Sequence, residues 1–176
     1  ACKMKKFIIL MIVKILLVIA VVGGIVYFSL NANAAELKAY EGETPVLALN
    51  TLEGEAMNLE QFQGKLTLVQ FWATYCTPCR VEMPSMNRLQ ATLGDDFKIL
   101  AVNMGETQDE VQQFVDEVKP EFTILMDEDG AALAAWKVFA APASFVVDGT
   151  GKIRYTMFGA TEWDSDEMIA TLKGLM

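Results

Sequence analysis

A pair of cysteines stands between a strand-like apolar run and the start of a helical pattern. The run Leu66–Trp72 (LTLVQFW) is apolar at almost every position, as in a strand that is covered on both faces. Cys76 and Cys79 follow closely, and apolar residues then recur at helical spacing until Gly94. This order predicts an α/β sheet in which the dithiol lies where a strand ends and a helix begins.

The rest of the chain alternates strands with helices. The strand-length runs are residues 46–49, 57–59, 66–72, 97–104, 122–126, 144–147 and 153–158. Further helices are predicted after Thr107, at residues 131–136 and after Asp164 or Ser165, and Pro84 is expected to kink the first helix. The alternation predicts a sheet that is parallel in the centre and gains antiparallel strands from two hairpins.

The amino-acid composition excludes several classes of function. Fourteen basic residues against 23 acidic ones give a net charge of −9, which argues against nucleic-acid binding through a basic face. The chain has no histidine, so it cannot build a histidine-based serine or cysteine protease or most catalytic zinc sites. Its 53% of hydrophobic residues suffice for a folded core.

The position of the two cysteines indicates redox chemistry. A helix N-terminus presents free backbone N–H groups and a partial positive charge, and both stabilise a thiolate. Cys76 is placed at the open end of the helix and Cys79 one turn inside it. We therefore expect Cys76 to attack a partner disulfide and Cys79 to resolve the mixed disulfide, with Pro78 tolerated in the first helical turn.

Two other uses of a Cys-x-x-Cys pair are alternatives. The pair could be half of a zinc site, but three cysteines and no histidine leave such a site without further ligands. It could be a static structural disulfide, but so short a loop makes the bond labile rather than stabilising. A redox-active dithiol that needs no cofactor and no metal is the favoured interpretation.

The N-terminal 34 residues differ in character from the rest. They contain four lysines and no acidic residue, whereas ten basic and all 23 acidic residues follow them. Residues 7–30 carry one charge, on Lys14, and as a helix they would span roughly 36 Å, enough for a bilayer core of about 30 Å. Three lysines precede this run and place the N-terminus in the cytoplasm. We expect a single-pass anchor in the inner (cytoplasmic) membrane, with the domain facing the periplasm or the cell exterior.

A cleaved signal peptide is the alternative to an anchor. Residues 32–34 (ANA) have the small-x-small form of a signal-peptidase site, and cleavage near Ala34 would release a soluble periplasmic or secreted protein. Cys2 lacks the apolar and small residues that precede a lipid-modified cysteine, and we treat it as incidental. The expected divisions are residues 1–34 (anchor or signal), 35–44 (polar linker) and 45–176 (folded domain).

Residues 68–84, LVQFWATYCTPCRVEMP, resemble the active-site segment of thioredoxin-like proteins, and among them the TlpA/ResA type of thiol–disulfide oxidoreductase. The resemblance extends over roughly residues 42–176. It implies a thioredoxin-like fold, in which helices flank a central mixed sheet with an extra N-terminal β-hairpin. It also implies an extracytoplasmic enzyme tethered by an N-terminal helix. Such an enzyme reduces the disulfides of client proteins, such as apocytochrome c in cytochrome c biogenesis, and a membrane electron donor re-reduces it.

The resemblance also assigns residues around the dithiol. Ala141 and Pro142 match a cis-proline loop that faces the cysteines and binds the substrate backbone, and an ordinary trans proline is the alternative. Glu82 shares a helix face with Cys79 and matches a glutamate that tunes the dithiol. We expect Glu82 to exchange the resolving thiol's proton, and a solvated surface carboxylate is the alternative. Trp72 matches a tryptophan beneath the active site and can equally be a core aromatic residue.

Three positions depart from the pattern of the family. Gln70 is neutral where thioredoxin has an acid, which makes Glu82 the better candidate for proton transfer. Tyr75 stands where a tryptophan usually precedes the first cysteine, and Ala141 where threonine or valine often precedes the proline. We expect these changes to affect partner choice and not the chemistry. The candidate substrate-binding residues are Trp72, Tyr75, Thr77, Pro78, Ala141 and Pro142.

Other functions on the same fold are alternatives. A thiol oxidant that introduces disulfides would carry the same motif, because Thr77 and Pro78 do not settle the direction of electron flow. A peroxiredoxin-like peroxidase would need a threonine three residues before its reactive cysteine, and residue 73 is alanine. A copper carrier of this fold would use a histidine, which the chain lacks.

Overall fold

The structure, a computed structural model, describes residues 14–21 and 36–176. Residues 14–21 are helical and exposed. Within these two ranges, no helix is both long enough and apolar enough to cross a membrane. Most of the predicted anchor or signal at residues 1–34 lies outside the described residues, so its role stays a prediction. Residues 35–176 form a unit of their own.

Eight strands of this unit form one mixed sheet. They are β1 (Lys38–Ala39), β2 (Ala48–Thr51), β3 (Ala56–Asn58), β4 (Leu66–Trp72), β5 (Phe97–Met104), β6 (Thr123–Asp127), β7 (Ala143–Val147) and β8 (Ile153–Phe158). Their order across the sheet is β1-β8-β7-β4-β5-β6-β2-β3. The central strands β4, β5 and β6 are parallel, and all other pairs are antiparallel. The predicted parallel centre and both predicted hairpins are confirmed.

Four helices accompany the sheet: α1 (Thr77–Leu93), α2 (Gln108–Val118), α3 (Ala131–Ala135) and α4 (Asp166–Lys173). Their ends follow from local side chains. Thr107 and Glu110 form the predicted capping box of α2, and Ser165 accepts from a backbone N–H at the start of α4. Gly94 ends α1 with a φ of 69°, a conformation that glycine adopts easily. Pro84 lies inside α1 without ending it.

The sheet has a packed layer on each face. All seven residues of β4 are buried, and alternate residues point to opposite faces. Trp72 joins one cluster, which packs α1 and α4 against the sheet and includes Met83. Phe71 joins the other cluster, which includes Trp136 beside α3. The end of β4 that leads to Cys76 is therefore held from both sides.

The structure departs from the sequence-based expectations at two edges. Residues 35–44, expected to be a linker, contribute β1, which pairs with β8 at Lys38 and Ala39. The strand expected at residues 46–49 lies at Ala48–Thr51 instead. Its last residues pair with β6, and Thr51 is buried whereas Val46 is exposed. Pairing with a neighbouring strand, and not the apolar run alone, determines where these edge strands lie.

Candidate active site

Cys76 and Cys79 form a disulfide at the N-terminus of α1. Cys76 is the N-cap residue, and its sulfur accepts from the Cys79 N–H at 3.2 Å. Solvent reaches Cys76, which is 7% exposed, but not Cys79, which is 0% exposed. Free N–H groups at a helix end stabilise a thiolate, so this N-cap position favours the thiolate of Cys76 once the bond is reduced.

The surface next to the dithiol is formed by residues that the sequence singled out. Tyr75 is 75% exposed, and Thr77 and Pro78 are exposed as well. The Ala141–Pro142 peptide bond is cis, as predicted. Because the next residue along β7 pairs with the end of β4, the proline loop reaches the same end of the sheet as the dithiol.

Two candidate substrate-binding residues are buried. Trp72 is 0% exposed, and its ring packs on Phe114 at 4.6 Å between centroids, so it supports the site from below. Pro142 is also buried, and its carbonyl accepts from the Gly159 N–H at 2.9 Å. Ala141 is partly exposed. The structure therefore argues against direct contact between Trp72 and a client protein.

Glu82 is buried, so the alternative of a solvated carboxylate is wrong. It lies on α1 one turn after Cys79 and is 2% exposed. Its Oε2 accepts from the Thr161 N–H at 3.2 Å and from the Trp163 indole N–H at 3.1 Å, and its Oε1 accepts from Gln70 Nε2. Burial raises the pKa of Glu82 to about 7, and these three hydrogen bonds act in the opposite direction. The carboxyl can therefore hold or release a proton near neutral pH.

The partners of Glu82 could not be anticipated from the sequence. The sequence shows that residue 70 is neutral, but it does not predict the contact of Gln70 with Glu82 across the β4–α1 interface. The segment after β8 is joined to α1 a second time, because Ser85 Oγ accepts from the Trp163 N–H at 3.0 Å and donates to the Glu82 carbonyl at 2.7 Å. No local motif marks residues 161–163 as part of the site.

Glu106 holds the loop that leads to Cys76. Its carboxylate accepts from the Thr74 N–H at 2.7 Å, from the Thr74 hydroxyl and from Asn103 Nδ2 at 2.6 Å. The Glu106 N–H in turn donates to Asn103 Oδ1 at 3.1 Å. The end of β5 and the turn before the dithiol are thus joined through one carboxylate, another contact that the sequence did not predict.

Arg80 places a positive charge directly after the second cysteine. Its guanidinium lies 4.5 Å from the centre of the Phe114 ring and 2.8 Å from a Glu117 oxygen. The charge is therefore engaged with α2. In the described ranges, no cluster of histidine, cysteine and acidic residues could hold a metal ion.

Comparison with known proteins agrees with this geometry. The model of the AhpC/TSA family matches residues 40–156. The thiol-disulfide oxidoreductase ResA of Halalkalibacterium halodurans is 34% identical over 174 residues, which are 97% of each chain. The chain belongs to the AhpC/TSA family of thioredoxin-like proteins. The thioredoxin-like protein YneN of Bacillus subtilis is 37% identical over 123 residues, 68% of this chain and 72% of its own.

A solved structure shows the same fold. The crystal structure described as the thiol:disulfide interchange protein DsbE of Chlorobium tepidum has a TM-score of 0.70 at 28% identity, covering 80% of this chain and 99% of its own. The predicted thioredoxin-like α/β fold is confirmed. With its Cys76–Cys79 disulfide, this family member is a thiol–disulfide oxidoreductase.

Proposed function

We propose that the protein is a membrane-anchored reductase that acts on client disulfides outside the cytoplasm. The observation that supports this proposal best is the buried Glu82 carboxyl one helical turn after Cys79. The resolving thiol must lose its proton before it attacks, and Cys79 lies where solvent does not reach it. Glu82 is the group that can accept this proton.

The reaction consists of two exchanges. The Cys76 thiolate attacks one sulfur of a client disulfide, forming a mixed disulfide and releasing the first client sulfur as a thiolate. Cys79 then loses its proton to Glu82 and attacks the Cys76 sulfur, which releases the second client thiolate. Two electrons pass from the dithiol to the client. The product is the Cys76–Cys79 disulfide that the structure contains.

The charge around the dithiol favours the reducing direction. A dithiol becomes a strong oxidant when its reduced, thiolate form is stabilised. Here the buried group beside Cys79 is a carboxyl, whose negative form disfavours a nearby thiolate. The nearest cation on α1, Arg80, is paired with Glu117 at 2.8 Å. Both features lower the reduction potential, in opposition to the thiolate stabilisation that the helix N-terminus gives Cys76.

We assign the recognition of client proteins to the surface around Cys76. Tyr75, Thr77 and Pro78 are exposed beside the sulfur, and the loop with the cis bond at Pro142 lies at the same end of the sheet. A client disulfide, such as that of apocytochrome c, would be bound there by its backbone and flanking side chains. A membrane donor that carries electrons from the cytoplasm would then reduce Cys76 and Cys79 again.

The reduction potential of the Cys76–Cys79 pair tests this proposal. The full chain is equilibrated with thiol–disulfide buffers, and its free thiols are counted. We expect a potential well below about −200 mV, whereas a value near about −120 mV would show an oxidant that introduces disulfides. Glu82→Gln is compared at the same time, because removal of the negative charge should raise the potential if the carboxyl disfavours the thiolate.

A peroxidase is the second candidate because the AhpC/TSA model matches the chain. Ala73 opposes it, since a peroxidatic cysteine would need a threonine at that position, and Ala73 is fully buried. We expect reduced protein to consume hydrogen peroxide no faster than free dithiols do. A peroxide reaction that is orders of magnitude faster and depends on Cys76 would favour the peroxidase.

A further inference from the structure

Two polar side chains in the middle of the sheet are incompletely hydrogen-bonded. Gln70 on β4 and Ser144 on β7 are 0% and 1% exposed. Gln70 Nε2 donates to Glu82 Oε1, whereas Gln70 Oε1 and Ser144 Oγ have no partner among the described residues. The third unpartnered buried atom there is the Trp72 indole nitrogen, two residues along β4 from Gln70. Buried polar atoms are normally paired, because an unpaired atom has lost its bonds to water without replacement. Two such atoms at neighbouring positions need an explanation.

The sheet brings these two side chains together. Gln70 and Ser144 are opposite one another in the antiparallel pairing of β4 with β7, so their side chains leave the same face of the sheet. A serine hydroxyl can donate or accept, and a glutamine amide donates from its nitrogen and accepts at its oxygen. In the structure the Gln70 oxygen and Ser144 Oγ do not pair with each other, so a bond between the Gln70 amide and Ser144 requires one of the two side chains to shift. After an amide flip, the Gln70 nitrogen can then donate to Ser144 Oγ.

The two protonation states of Glu82 need different partners. Oε2 accepts from the N–H groups of Thr161 and Trp163. Neither of these groups can accept a hydrogen bond, so a proton on the carboxyl must reside on Oε1. Oε1 faces the Gln70 amide. An N–H group at this position donates a hydrogen bond to the carboxylate. It would face the O–H of the protonated acid without being able to accept a hydrogen bond from it.

We propose that the Gln70 side-chain amide flips, so that its oxygen and nitrogen exchange places, when Glu82 gains or loses a proton. In the ionised state, which has the arrangement of the structure, Gln70 donates to Glu82 Oε1 and the Gln70 oxygen is unpaired. In the protonated state, Glu82 donates from Oε1 to the Gln70 oxygen, and the Gln70 nitrogen donates to Ser144 Oγ. Gln70 is thus a positioning residue that keeps this buried carboxyl paired in both forms. The inference rests on the proposed proton exchange by Glu82.

The surroundings of Glu82 are consistent with a titration at this one carboxyl. Burial raises its pKa to about 7 against the effect of its hydrogen bonds, so both states are populated near neutral pH. On its own helix, Cys79 belongs to the dithiol. In the segment after β8, the carboxylates of Glu162 and Asp164 are engaged with Arg88 at 2.7 and 2.5 Å. The partner groups from β4 and from the segment after β8 are an amide and two N–H donors, which do not titrate in this range.

Nuclear magnetic resonance of the isotope-labelled full chain in its disulfide form tests the inference between pH 5 and pH 9. We expect the Gln70 amide signals to shift with the same midpoint as the Glu82 carboxyl. The Nε2 protons should lie close to the Trp163 indole proton above this midpoint and close to the Ser144 side chain below it. Amide contacts that stay the same while Glu82 titrates would overturn the inference and leave the proposed function standing. A Glu82 carboxyl that does not titrate in this range would overturn both.

Two variants make the test sharper. Glu82→Gln carries an N–H group where the acid has its O–H, so the Gln70 amide should stay turned toward Ser144 at every pH. Gln70→Met fills similar space without hydrogen bonds. It should raise the Glu82 midpoint by about 0.5–1 pH unit, because the carboxylate loses a stronger hydrogen bond than the acid does. Gln113→Met on the exposed side of α2 is the control. An unchanged midpoint in folded Gln70→Met would contradict the inference.

Discussion

The Trp163 indole N–H donates to Glu82 Oε2 at 3.1 Å, across 81 positions of sequence. Trp163 is 0% exposed and Glu82 is 2% exposed, so water cannot replace this donor at either end. The contact fixes the carboxyl on the helix of the dithiol and connects its proton affinity to the packing of the segment after β8. A change at Trp163 should therefore alter chemistry at Cys79 without touching the dithiol.

Trp163→Phe should raise the pKa of Glu82 further. The variant removes an N–H donor that favours the carboxylate, while the aromatic ring keeps most of the packing. We expect the Glu82 titration, followed through the pH dependence of client reduction, to move up by about one pH unit. Trp136→Phe is the matched control, because that indole donates to the Val46 carbonyl on the opposite face of the sheet. Equal pH profiles for the two variants would contradict the assignment.

The stability of the protein should fall as the pH rises through the titration of Glu82. The folded-state pKa is about 7 and the ordinary value is 4.5, so the folded state binds the proton more tightly than the unfolded state. The stabilisation is fully present below pH 4.5 and is lost as the pH approaches and passes 7, with a total of about 3 kcal/mol. Glu82→Gln should lack this loss, as measured by urea unfolding at several pH values. Glu53→Gln, at an exposed position, is the control: its unfolding free energy should fall with pH as it does in the unchanged chain.

Some elements of the fold could be predicted from the sequence and others could not, and the difference has a physical reason. The bounds predicted for β4, β5 and β8 are the observed ones, and α2 begins after the predicted cap at Thr107. An apolar run and a capping box are both patterns of residues that are close in sequence, so the sequence alone reveals them. β1 was missed because its two residues, Lys38 and Ala39, join the sheet through backbone pairing and show no apolar pattern.

The role of Glu82 illustrates the same limit within the site. Its spacing from Cys79 predicted that the two share a helix face, and the structure shows the carboxyl buried. Its donors Thr161 and Trp163 lie about 80 positions away, so only the folded chain brings them together. A neutral residue at position 70 pointed to Glu82 as the proton carrier, but nothing local indicated that Gln70 contacts it.

Cys79→Ser should trap a mixed disulfide with a reducible client, and Cys76→Ser should not. Cys76 is the partly exposed N-cap of α1, whereas Cys79 is 0% exposed and can reach only the Cys76 sulfur. The adduct is measured by non-reducing gel electrophoresis and mass spectrometry after reaction with a disulfide-containing protein. Alkylation of the reduced chain at pH 7 provides a second measurement, in which Cys76 should react first. Equal alkylation rates would contradict the assignment of roles.

Glu106→Ala should loosen the turn before Cys76. The variant leaves the Thr74 N–H and hydroxyl and the Asn103 amide without their acceptor, which should cost about 2 kcal/mol of unfolding free energy. We expect faster hydrogen exchange at the Thr74 N–H and slower client reduction. Glu110→Ala is the control, since it removes the capping box of α2 and no contact to Thr74. Unchanged exchange at Thr74 in Glu106→Ala would show that another contact holds the turn.

The dithiol should be reduced in the living cell and reachable from outside the cytoplasmic membrane. Thiols in such a compartment become oxidised unless electrons are supplied, so a reduced pair there would require a membrane donor. The experiment uses the Cys2→Ser chain, in which Cys76 and Cys79 are the remaining cysteines, and a thiol reagent that cannot cross the membrane. We expect labelling at Cys76, the partly exposed thiol, in intact cells, and loss of this labelling in mutant cells that lack the electron donor. If the pair is oxidised at steady state, the reductase proposal fails and the oxidant takes its place. If the thiols are free but unlabelled until the cells are opened, the proposed topology is wrong and the chemistry is unaffected.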